Sequence, residues 1–133
     1  MAGAPTGRRL LRVFGRRSQP DRTSIARVYG AAMAAAADAD AAEEATLRVF
    51  AAAGAGLGDP EALAAAAVRL AVRAAPHAAF APMEVDDREA VALARLLRWP
   101  DHRIALLLGI EVDEVRRRLS RGLHAVVMEA TCV

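Results

Sequence analysis

The 133-residue chain has no lysine, one cysteine, one tryptophan, one tyrosine and three phenylalanines. Each scarcity removes a class of protein. The lone cysteine, Cys132, permits neither a disulfide framework nor a cysteine-based metal set, so a cytoplasmic protein is expected. Aromatic residues make up only 4%, and no run of alternating Val, Ile, Thr and Tyr is long enough to found a sheet. The longest apolar stretches are alanine-rich and broken by charge or proline, far short of a membrane span, and the arginines from Arg8 to Arg17 interrupt any apolar leader. Neither membrane insertion nor secretion is expected. His77, His102 and His124 are widely spaced with no Cys–His pattern beside them, so they read as surface histidines and no metal is expected. Gly54, Gly56 and Gly58 follow a helical pattern rather than a strand, which makes them a connection and not a phosphate loop. The paired acids Glu43-Glu44 and Asp86-Asp87 stand at helix starts, where capping accounts for them. Nothing points to an enzyme or a cofactor.

What is abundant is alanine, inside an apolar fraction of 55%. Alanine is the strongest helix former, so an all-α fold is expected; each alanine buries little area, so the core should be shallow. All 18 basic residues are arginine, which reads first as GC-rich codon usage and only second as phosphate-binding chemistry. The net charge of +2 hides an uneven distribution. Residues 1–27 carry seven arginines against one aspartate, residues 28–87 three arginines against nine acids, and residues 88–133 eight arginines against six acids. The two ends are therefore candidates for nucleic-acid contact and the middle for protein contact.

Residues 1–20 mix Gly, Pro, Ser and Arg around Leu10, Leu11, Val13 and Phe14, and read as a disordered basic arm, either an electrostatic tether or a solvated tail. Ile25, Val28, Tyr29, Ala32, Met33 and Ala36 then form one helical stripe. Asp40 with Glu43 has capping-box spacing for a second helix ending near Ala53. Asp59-Pro60-Glu61 supplies an N-cap, a first-position proline and a dipole-favoured acid for a third, which carries Leu63, Ala66, Ala67, Leu70 and Ala74. Residues 77–84, with Pro82, His77 and Phe80, read as a linker. It divides the chain into a helical unit at 21–76 and a second at 85–133.

In the second unit Asp86 and Glu89 repeat the capping-box spacing, and Ala90, Leu93, Ala94 and Leu97 mark a helix stopped by Trp99-Pro100. A short helix from Asp101 to Leu108, a turn at Gly109 and a final helix from about Val112 to Met128 follow. Two helices crossing steeply need a small residue at the approach, a turn residue that accepts positive φ, and apolar residues at fixed offsets. Ala105 and Gly109 fill the first two roles; Ile104, Leu108, Ile110, Val115 and Leu119 supply the third. An ordinary helical hairpin meets the same requirements, but it does not call for Arg116, Arg117, Arg118 and Arg121 between Val115, Leu119 and Leu123. Arginines so placed make a phosphate-facing helix.

Residues 88–126, REAVALARLLRWPDHRIALLLGIEVDEVRRRLSRGLHAV, resemble region four of sigma factors of the extracytoplasmic-function group, which binds the upstream promoter element. That resemblance implies a helix-turn-helix whose DNA-facing residues are Glu111, Asp113, Glu114, Arg116, Arg117, Arg118 and Arg121. Asp113 or Glu114 could accept from cytosine N4, or could equally stabilise the helix N-terminus through its dipole. It also assigns Trp99 to packing the turn before the short helix.

Residues 27–53, RVYGAAMAAAADADAAEEATLRVFAAA, are similar to the start of region two in the same family, which implies RNA polymerase core contacts at Glu43, Glu44 and Thr46. The family's glutamine is Leu47 here, and its Arg-x-Trp ending is Ala52-Ala53-Gly54. The helix that follows has alanines with only Arg69 and Arg73, where the family carries a basic, aromatic face. Opening of DNA strands uses aromatic stacking worth about 1–3 kcal/mol per base. A promoter-binding regulator that also docks on polymerase is expected, with promoter melting weak or lost. The alternative is a non-initiating mimic that binds polymerase or an anti-sigma protein.

Overall fold

The computed structural model describes residues 22–54 and 58–131, which form six helices: α1 (Arg22–Ala35), α2 (Ala39–Ala53), α3 (Pro60–Ala74), α4 (Val85–Leu96), α5 (Asp101–Leu108) and α6 (Val112–Thr131). The fold is all-α. The basic arm at residues 1–20 and Cys132 lie outside the described residues.

Local chemistry sets the N-termini of α2 and α3. Asp59 accepts from the Glu61 amide at 3.1 Å, with Pro60 in the first helical position, as the sequence suggests. For α2 the capping residue is Asp38 rather than Asp40: its carboxylate accepts from the Ala41 amide at 2.8 Å, and Asp40 falls inside the first turn. The Asp86–Glu89 capping box does not form either. Glu84 occupies the cap position of α4 without a side-chain cap bond, and Glu89 is buried. Its carboxylate is drawn inward by Arg73, at 2.5 Å, and Arg69, at 3.4 Å, both on α3.

Helix α3 is the centre of the molecule and packs against α1, α2 and α4. Its buried residues, Leu63, Ala64, Ala65, Ala67, Val68, Ala71 and Val72, are distributed so widely around it that only small side chains leave room for three neighbours. Across the described residues, 12 of the 26 buried hydrophobic residues are alanine, which makes the core shallow as expected from composition. The larger contributions come from Val28, Phe50, Val68 and Val72 in one cluster, and from Leu93, Trp99, Ile104 and Val115 in another.

The proposed linker is corrected by the structure. Phe80 and Met83 are buried in the first cluster together with Val91 and Ala92 of α4, so residues 77–84 pack rather than merely connect. Arg88 straps this segment by donating to the carbonyls of Phe80 (3.2 Å), Ala81 (3.2 Å), Met83 (2.9 Å) and Val72 (3.3 Å). A guanidinium with five donors satisfies several backbone oxygens at once, a role no short motif announces. Helix α4 contributes Val91 and Ala92 to the first cluster and Leu93 to the second. The two halves therefore share α4 as a common wall.

Candidate nucleic-acid interface

Helices α5 and α6 meet at Gly109, whose φ of 67° and ψ of 37° lie in the left-handed region that a side chain disfavours. The Gly109 and Ile110 amides both donate to the Ala105 carbonyl, closing α5 and redirecting the chain into α6. Ala105 is buried at the approach, and Ile104 and Val115 are fully buried beside it. Trp99 closes the far end of this small core. Its indole N–H donates to Glu61 Oε2 at 3.2 Å and the Arg103 guanidinium lies 3.9 Å from its ring centroid, so Trp99 packs the turn as expected. Glu61 also pairs with Arg27, which joins α1, α3 and the α4–α5 turn through one carboxylate.

The outer face of α6 starts with Glu111 and Asp113, both exposed, Asp113 at 79% of its side chain. Arg116 and Arg117 are exposed as well. Arg118 is not: only 16% of its side chain meets solvent, against the expectation of a solvent-facing arginine. Its guanidinium turns back to Glu114 Oε2 at 3.1 Å.

Every arginine of this face is paired with a carboxylate. Glu114 accepts from Arg117 at 2.8 Å, from Arg118 at 3.1 Å and from Arg121 at 3.4 Å. These guanidiniums hold its carboxyl down at about 2, well below the usual carboxylate range, the bonds from Arg117 and Arg118 weighing most. Arg116 reaches Asp101 at 3.2 Å and Asp113 at 3.7 Å. Arg121 also grips Asp87 of α4 through both oxygens, at 3.1 and 3.4 Å. Asp87 is buried, and the hydrogen bonds it accepts from Arg121, helped by its charge, raise the pKa of the Arg121 guanidinium above its ordinary value.

In the first half, Glu44 is exposed and paired with Arg48 at 2.9 Å, while Glu43 is half-buried. Thr46 does not reach the surface. It is fully buried and its hydroxyl donates to the Ala42 carbonyl at 2.8 Å, the intrahelical bond that a threonine facing the core adopts, so it cannot contact another protein directly. Glu44 and Arg48 edge a cavity of about 210 Å³ between α2 and α3, lined by Ala45, Leu70 and Ala71.

Sequence reasoning missed Asp87, Glu89 and Arg88 as organising residues. A signal for the first two was present. Counting back three from Ala90 reaches Asp87 and back four from Leu93 reaches Glu89, so helical periodicity already put both on the core side of α4. His77, His102 and His124 are all exposed, and no group of three or more potential metal ligands occurs among the described residues. No helix among them is long and apolar enough to cross a membrane. Compared with protein-family models, curated proteins and solved structures, the chain gives no match.

Proposed function

We propose that this chain is a sigma-factor-like, DNA-binding regulator of transcription initiation acting in the cytoplasm. In this reading α5 and α6 are a helix-turn-helix that recognises a promoter element, and α2 contacts RNA polymerase core. The observation that carries the reading is the α5–Gly109–α6 corner. Ile104, Ala105 and Val115 lock the crossing, and Glu111 just before α6 is exposed together with Asp113, Arg116 and Arg117 of its first two turns. A helix presented by its N-terminal turns, braced from behind by another helix, suits insertion into a major groove about 12 Å wide. The polymerase contact rests on the acidic pair Glu43-Glu44, of which Glu44 edges the apolar groove of α2 and α3, a charged edge on an apolar surface.

One observation favours the non-initiating alternative. Phe50, Phe80 and Trp99 are buried and Tyr29 is half-buried, so no fully exposed aromatic ring stands among the described residues to stack on an unpaired base. A chain that docks on polymerase, or on an anti-sigma protein, without melting DNA is consistent with that.

The test uses the full chain, because α4 is shared by both halves. Selection from a randomised duplex pool should enrich one sequence family, and Arg117→Ala should weaken binding to it by roughly ten- to a hundredfold, the loss of about 1–3 kcal/mol given for one good base contact. Failure to enrich any sequence overturns DNA recognition. Run-off transcription with core polymerase separates the two readings, since promoter-specific transcripts exclude the mimic.

A further inference from the structure

The four arginines that make α6 cationic in sequence, Arg116, Arg117, Arg118 and Arg121, face four carboxylates: Asp101, Asp113, Glu114 and Asp87. These eight groups together carry no net charge, even before the exposed Glu111 just ahead of the helix is counted. Non-specific affinity for nucleic acid comes almost wholly from cations that displace counterions from phosphates, so a neutral face has little to offer a random duplex. The four acids are not equivalent. Asp87 is buried and holds Arg121 as a strut between α4 and α6; Asp101 and Asp113 share the single Arg116. Glu114 alone accepts from three guanidiniums, and for Arg117 and Arg118 it is the one carboxylate within 4.0 Å among the described residues.

We propose that Glu114 is an internal competitor for phosphate and so a specificity-determining residue, which holds the Arg117 and Arg118 guanidiniums in ion pairs until a ligand makes enough further contacts to draw them away. This rests on the reading of α6 as the DNA-facing helix. A sequence that also satisfies Glu111, Asp113 and the bases can displace Glu114; a random duplex, which provides phosphates only, cannot. Arg121, gripped by two oxygens of a buried aspartate, stays on the protein in both states.

The experiment compares the full wild-type chain, Glu114→Gln and Glu129→Gln. Glu129 is an exposed acid near the far end of α6, so its variant carries the same change in net charge away from the arginine cluster. Each protein is titrated with a random-sequence duplex of roughly 20 base pairs across salt, and Glu114→Gln should bind at least about tenfold more tightly at low salt, with a slope of log affinity against log salt steeper by about one to two. Glu129→Gln should stay within about twofold of wild type when the three proteins are compared at about 0.1 M salt, where screening confines a surface charge to about 10 Å. Circular dichroism melts establish that both variants fold. If Glu114→Gln and Glu129→Gln bind alike, Glu114 masks nothing and the proposal is overturned, even where wild type selects a DNA sequence. If no protein binds duplex but Glu114→Gln alone is retained longer on heparin, the masking stands and the DNA reading of α6 fails.

Discussion

Glu114 stands in the first turn of α6, where a carboxylate already benefits from the helix dipole, and it then gathers three guanidiniums from the next two turns. Its carboxyl titrates at about 2 in the folded chain against an ordinary value of 4.5. A carboxyl lowered on folding adds stability that is fully present above its unfolded value and is lost as pH falls towards the folded one. The stability difference between wild type and Glu114→Gln should therefore be constant above about pH 5 and shrink between about pH 4.5 and pH 2. Chemical denaturation at a series of pH values checks this, and a difference independent of pH across that window contradicts the pairing. At this scale the arginines and acids of the candidate site were legible one by one. Their partners were not: Arg121 and Asp87 are 34 positions apart, and Thr46 faces the core in a pattern that reads equally well as surface.

Among the elements, the crossing of α6 over α4 depends on one small residue. Gly122 is buried there, and a Cβ added to it would lie 2.6 Å from Val91 Cγ2 and 3.1 Å from Met83 Sδ. Val91 is itself buried and has a short, branched side chain, so it cannot swing aside. Gly122→Ala gains about 1 kcal/mol of helix propensity, yet the crowding costs about 1–3 kcal/mol, so the variant should be neutral to destabilised by about 2 kcal/mol. Val91→Ala made in that background should recover part of the loss, which a double-mutant cycle on thermal melts measures. Additive effects at the two sites would place α6 elsewhere. The helices themselves were readable from apolar spacing, Pro60, Gly109 and Trp99-Pro100, because those signals act within a turn or two of chain. The cap of α2 was misplaced by two residues, since Asp38 and Asp40 are equally good caps in isolation and packing against α1 and α3 selects where the helix starts.

For the whole molecule, the consequence of a shared α4 is that the C-terminal half should not stand alone. Cutting at residue 83 removes Arg69 and Arg73 from the buried Glu89 and strips most of the first cluster from Val91 and Ala92, among described residues whose core is already nearly half alanine. The full chain should melt in one cooperative step followed alike by circular dichroism and tryptophan fluorescence at Trp99, whereas residues 83–133 should show a broad, non-cooperative loss of helix. A sharp transition in the fragment would show that the second cluster, around Leu93, Ile104 and Val115, suffices for folding.

By itself the sequence determined the helices, the turn at Gly109 between α5 and α6 and the placing of acids and arginines along α6. Those follow from backbone propensity, apolar period and capping, interactions that reach no further than a few residues. Only the tertiary structure decided that residues 77–84 belong to the core, that α4 serves both halves, and that the cationic stripe of α6 is neutralised by carboxylates, among them Asp87 of a different helix. Burial and charge pairing depend on which surfaces meet. In an alanine-rich chain many surfaces are nearly alike, so it is the few large or charged residues at each crossing that settle the outcome.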